Sequence, residues 1–143
     1  MTTYVLDASV AMKWALPGIP EPLTDKAVDL LKRYRESEVD FVVPDVFWAE
    51  IANALWKGVR QQRWDRDQAE MAAADMRDRD FQTVSSQILM TSALKIALKY
   101  DRNIYDCLYA ALAEESRADL ITADERLFNA LASRFPMKWL GSL

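Results

Sequence analysis

Short apolar runs alternate with helix-length stretches along this chain, and that alternation is what most restricts its fold. Residues 3–7 read as a strand, as do Phe41-Val42-Val43, a segment near 82–85, Leu120-Ile121-Thr122 and Met137-Lys138-Trp139. Between them, helices are predicted from Ser9 to a break at Pro17–Pro22, over 23–37, about 46–62, 66–79, 87–100, 104–116 and 124–132. Leu23, Ala27, Leu30, Leu31 and Tyr34 share one face of the second helix, and Asp45 stands where a cap of the third belongs. Strands separated by helices imply a parallel central sheet flanked by helices, an α/β sandwich. No repeat or linker interrupts the 143 residues, so residues 1–143 read as one domain.

Composition narrows the chemistry. The chain has no histidine and one cysteine, Cys107. A Ser-His-Asp triad, histidine-based metal-free RNA cleavage, and His- or Cys-rich zinc sites are excluded. Acid–base and metal chemistry therefore falls mainly to carboxylates. A lone cysteine, no signal-like N-terminus and no long apolar span fit a protein of the reducing cytoplasm with no place in a membrane. A net charge of −4 counts against a globally basic nucleic-acid binder. The basic residues Lys57, Arg60, Arg63 and Arg66 read as a solvated helix end. Trp14, Trp56 and Trp64, near predicted helix ends, read as core or partner surface.

Four acids sit in apolar or helix-initiating contexts: Asp7, Glu50, Asp106 and Asp124. Taken alone, Asp7 reads as a helix cap, and Ser9 would serve equally. Asp124 reads as a first-turn acid inside a capping box running from Thr122 to Glu125. Asp106, with Asn103 as a cap before it, lies in a helix with almost no polar face, so it needs a partner, and a cation is one. Glu50 lies opposite an apolar arc of Trp48, Ile51, Ala52, Leu55 and Val59. It faces either solvent or a cleft, and in the second case Asn53 is a supporting amide and Lys57 a phosphate contact. Asp7 and Asp124 both follow strands, at the carboxyl ends where open α/β sheets bind ligands. If the fold gathers all four, unit charges about 4 Å apart repel by roughly 4 kcal/mol at an effective dielectric near 20. A hard divalent cation such as Mg²⁺ or Mn²⁺ relieves that repulsion.

The order of these pieces carries more than any one of them. Asp7-Ala8-Ser9 closes the first strand. Glu50-Ile-Ala-Asn53-Ala-Leu follows on a helix, then Tyr105-Asp106-Cys-Leu-Tyr109-Ala-Ala-Leu-Ala113, and Thr122-Ala123-Asp124 closes a late strand. In this the chain resembles the PIN-domain ribonucleases, in particular the VapC-like toxins of type II toxin–antitoxin systems, over residues 3 to about 140. The resemblance implies a PIN-like three-layer sandwich in which Asp7, Glu50, Asp106 and Asp124 converge to bind Mg²⁺ or Mn²⁺. Asp7 and Asp106 stand as direct ligands, with Glu50 and Asp124 binding directly or through water. Ser9, Asn53 and Thr122 support them. The activity implied is metal-assisted hydrolysis of RNA, leaving a 5′ phosphate and a 3′ hydroxyl. An antitoxin and a second copy of the chain are the implied partners. Besides acid-cluster DNA nucleases, which share similar chemistry, two alternatives stand beside it. One is a PIN-fold protein with little nuclease activity that acts as a binding partner. The other, a phosphohydrolase of a different α/β family, lacks the second Asp expected two residues after Asp7.

Overall fold

The computed structural model describes residues 1–16, 18–19 and 21–143. Its strands are β1 (Thr2–Leu6), β2 (Val39–Pro44), β3 (Gln82–Val84), β4 (Leu120–Thr122) and β5 (Met137–Trp139). Its helices are α1 (Ala8–Ala15), α2 (Thr24–Arg35), α3 (Val46–Arg60), α4 (Arg66–Asp78), α5 (Ser86–Tyr100), α6 (Ile104–Ser116) and α7 (Glu125–Leu131), with a final 3-10 turn at Leu140–Ser142. These match the elements expected from the sequence to within a few residues. Of the predicted break at Pro17–Pro22, Pro17 and Pro20 lie outside the described residues.

All strand pairings are parallel, and the order across the sheet is β3-β2-β1-β4-β5. Tyr4, Val5 and Leu6 of β1 are buried, as a strand covered on both faces requires. Val5 pairs with Val42 on one side and with Leu120 on the other. The chain builds outward from β1 through β2 to β3, then returns to place β4 on the opposite side. That reversal leaves a crevice beyond the carboxyl ends of β1 and β4.

Helices cover both faces in three layers. α1 packs with α2, α3 and α4, while α5 and α6 pack together and α6 lies on β1, β2 and β4. The nearly all-apolar α6 is buried without interruption from Cys107 to Ala113, as its composition predicts. Three alanines in that run let its backbone approach the sheet closely. An aromatic cluster of Trp14, Tyr34, Phe41, Phe47, Trp48 and Phe81 fills the other side of β2.

Two local expectations change. Asp45 does not cap α3; its Oδ2 accepts the Ser86 N–H at 2.9 Å and so satisfies the start of α5 instead. The buried face of α3 is Phe47, Ile51, Leu55 and Gly58; of the predicted arc, Ile51 and Leu55 are buried, Trp48 and Val59 pack part-buried against the core, and Ala52 is exposed. The reason is Trp64, which lies back across the helix and donates to the Leu55 carbonyl at 2.9 Å. Its indole takes the space over Gly58, where a Cβ would stand 1.9 Å from the ring. The buried face therefore centres on Phe47 and Gly58, and Glu50 moves to its edge.

Candidate active site

β1 ends at Leu6, and the next residue, Asp7, begins α1 at the crevice mouth. Asp7 is the N-cap residue of α1 by position, yet its side chain makes no capping bond. Instead Oδ2 accepts the Ser9 hydroxyl at 2.6 Å and the Thr122 hydroxyl, from the end of β4, at 2.7 Å. Ser9 Oγ in turn accepts the Ala123 N–H at 3.0 Å, and Thr122 Oγ1 accepts the Asp124 N–H at 3.0 Å. These bonds tie the ends of two neighbouring strands together around one carboxylate. Ser9 and Thr122 thus act on Asp7 rather than as helix caps.

Asp7 is 8% exposed, and its Oδ1 takes no hydrogen bond from the described residues while still reaching solvent. Burial pushes its pKa above the ordinary value. The bonds from Ser9 and Thr122 oppose that, and the charges of Asp106 and Asp124 add to it. The carboxylate is held in place, desolvated and repelled by its acidic neighbours at once.

Glu50, on α3, is half-buried and accepts the Tyr109 hydroxyl of α6 at 2.7 Å. Its pKa is also raised, first by burial, against the Tyr109 bond, and further by Asp7 and Asp106. Glu50 therefore faces the cleft, resolving the choice its helix left open. Tyr109 is 1% exposed. Burial and the charges of Asp7 and Glu50 keep its phenol protonated, and the Ala8 backbone contacts it as well. Sequence reasoning assigned Tyr109 no role. Its position three residues after Asp106, on the same side of α6, was the available signal.

Asp106 sits in the first turn of α6 with its backbone N–H capped by Asn103 Oδ1 at 2.9 Å, as expected of that asparagine. Its Oδ2 accepts from Arg102 Nη2 at 3.0 Å and from Asn103 Nδ2 at 3.1 Å. The partner that its setting demanded is thus present in the protein itself, a second feature missed from sequence.

Asp124, not Thr122, is the N-cap of α7: its Oδ1 accepts the N–H groups of Arg126 and Leu127 at 2.9 and 3.3 Å. The predicted capping box is absent because Thr122 is the last residue of β4, two positions before the cap, and its Oγ1 accepts the Asp124 N–H instead of that of Glu125. Asn53 and Lys57 are exposed, and Asn53 makes no side-chain hydrogen bond among the described residues. Of the three tryptophans near helix ends, Trp14 and Trp64 are buried, and Trp56 is exposed with Arg60 over its ring.

Asp7, Glu50, Asp106 and Asp124 thus come from four separate elements into one electrostatic neighbourhood. Among the described residues, however, no three acidic or sulfur ligands are drawn close enough to form a ready cation cage. Asp106 is turned to Arg102, and Asp124 is bonded to its own helix.

Comparison with known proteins agrees with this architecture. Ribonuclease VapC3 of Pyrobaculum aerophilum is 28% identical over 134 residues, covering 92% of this chain and 94% of the relative. Among solved structures, PAE2754 from Pyrobaculum aerophilum has a TM-score of 0.70 at 23% identity, covering 99% of this chain and 85% of that one. VapBC2 from Rickettsia felis, bound to a DNA fragment from their promoter, has a TM-score of 0.66 at 12% identity over 96% of this chain and 98% of that one. These two show likeness of fold. The PIN domain family matches residues 4–133, from β1 past α7, and the chain belongs to that family.

Proposed function

We propose that this protein is a Mg²⁺- or Mn²⁺-dependent endoribonuclease that hydrolyses RNA phosphodiester bonds in the cytoplasm, as the toxin of a toxin–antitoxin pair. The observation that carries the reading is Asp7: buried, pinned by Ser9 and Thr122 at the sheet crevice, and within the field of Asp106 and Asp124. The name of the ribonuclease relative supports the substrate class, and the VapBC structure supports an antitoxin partner.

The residues fit a hard divalent cation. Every available donor is a carboxylate or hydroxyl oxygen, and both Asp7 and Glu50 have pKa values raised in part by neighbouring acids. Asp7 and Asp106 would hold the ion, with Glu50 and Asp124 direct or through water. Such an ion supplies Lewis acidity, lowering the pKa of water and offsetting charge on a phosphoryl oxygen. The protein supplies the rest. Ser9 and Thr122 orient Asp7 so that Oδ1 points to the cleft. Tyr109 fixes Glu50, leaving its other oxygen to accept a proton from, or orient, the attacking water. Asn53, exposed on the same helix, serves as a supporting amide beside Glu50, and Lys57 as a contact to an RNA phosphate. The chain serves as one PIN unit.

Cleavage of structured RNA with Mg²⁺ or Mn²⁺ tests this in Asp7→Asn and Asp106→Asn, with folding followed by circular dichroism. Each should lose on the order of a hundredfold or more in rate. Cleavage retained in both folded variants refutes the assignment. Arg102 on Asp106 is the one observation favouring the second reading, a PIN-fold binding partner with little activity; the same assay on the unsubstituted protein separates the two.

A homodimer is supported by a row of apolar residues on α5, Met90, Leu94 and Leu98, which are 60%, 50% and 77% exposed. Sedimentation at micromolar concentration should give twice the chain mass; a monomer refutes it.

A further inference from the structure

Arg102 is poorly explained by the helix it precedes. It lies just before the N-cap of α6, at the positive end of the helix dipole, where an acid and not a base is stabilising. Its pairing with Asp106 joins a residue outside the helix to the first turn. The contact is a single one, Nη2 to Oδ2 at 3.0 Å, with the two side chains 25% and 22% exposed. Nε is buried and has no hydrogen-bond partner among the described residues, so the guanidinium does not form the two-pronged fork that makes such pairs strong. Asp106, the carboxylate it holds, in turn acts on both Asp7 and Glu50.

We propose that Arg102 is an exchangeable counter-ion of Asp106: it offsets that carboxylate when no cation is bound and competes with a cation for it. Arg102 is then a positioning residue that sets the cation affinity of the site. The inference rests on the reading of the acids as a cation site. Arg102 and Asn103 both donate to Oδ2 of Asp106, so a cation approaching that carboxylate meets the guanidinium charge beside the one oxygen, Oδ1, that no hydrogen bond takes among the described residues. Exchange also fits the loose hold on the arginine, whose unpartnered Nε and single contact leave little to lose on release.

The test is Mn²⁺ binding, read by titration calorimetry and by electron paramagnetic resonance of free Mn²⁺, without RNA. The proteins are the unsubstituted chain, Arg102→Gln, Arg102→Lys and an Asp7→Asn control. Removing the competitor should tighten Mn²⁺ binding about two- to fivefold in Arg102→Gln, the range of a partly exposed ion pair. Arg102→Lys should fall between, and it carries the test if the glutamine variant does not fold. Mn²⁺ should also raise the melting temperature of Arg102→Gln more than that of the parent. Unchanged or weaker Mn²⁺ binding in folded variants, with binding intact in the parent, overturns the role of Arg102 alone. Parent binding that is absent, or unaltered by Asp7→Asn, overturns the acidic-site reading and this proposal with it.

Discussion

Replacing Asp7 by asparagine should make the metal-free protein more stable at neutral pH, by about 1–2 kcal/mol. The favourable side is electrostatic. Asp7 is 8% exposed, and its charge opposes those of Asp106 and Asp124. A like pair roughly 8 Å apart at an effective dielectric near 20 repels by about 2 kcal/mol. Because Arg102 already offsets Asp106, one such pair is counted; the relief of burying a charge adds to it. The unfavourable side is hydrogen bonding. An amide oxygen still accepts from Ser9 and Thr122, but each bond weakens by roughly 1 kcal/mol on losing its charged partner, which offsets the charge-pair relief and leaves as the gain the cost of burying a charge. The net gain corresponds to a rise of about 3–6 °C in melting temperature for a chain of 143 residues.

The pH dependence gives the sign independently. The folded pKa of Asp7 lies above its ordinary value of 3.8, so protonation favours the folded state. Its stabilising contribution is full below 3.8 and is lost as pH rises through the raised folded value. Glu50 acts in the same direction, from an ordinary value of 4.5. Scanning calorimetry in EDTA should therefore find parent and variant alike at low pH, with the gap opening as pH rises. Added Mg²⁺ at about ten times its dissociation constant should stabilise the parent by about 1.4 kcal/mol and the variant far less. A variant that melts below the parent at pH 7 in EDTA refutes the reasoning, for the Asp7 carboxylate would then stabilise the fold as a hydrogen-bond hub.

Other outcomes follow from single contacts. Tyr109→Phe removes the donor to a half-buried Glu50 and should cost about 1–2 kcal/mol in urea denaturation while raising the Glu50 pKa further; unchanged stability would mean that the bond contributes nothing. Asp124→Ala should lose about 1 kcal/mol through the α7 cap, whereas Asp124→Asn, an equally good cap, should keep the stability and lose nuclease activity. If Asp124→Asn cleaves RNA as fast as the parent, Asp124 serves the helix alone.

The order of strands and helices, the burial of α6 and the position of Asp7 and Asp124 after strands were legible in the sequence. Each is a local property. Periodicity and punctuation report neighbours within a turn or a pleat, and the apolar run Cys107–Ala113 has few alternatives to burial. The active face of α3 was not legible, because it depends on Trp64 folding back over Gly58. Nor was the cap of α7: Thr122 fits a capping box by spacing but ends β4, two positions before the cap, and its hydroxyl donates to Asp7, 115 residues away. Tyr109 meets Glu50 across 59 residues. Arg102 is a near neighbour of Asp106, yet a base before a helix N-terminus is not favoured by the helix dipole, so their pairing was not read from the sequence. The sequence by itself determined which segments become strands and helices and which acids lie at their ends. Tertiary structure decided which hydroxyl, phenol or guanidinium each acid meets, because those bonds join segments brought together only when β4 docks beside β1.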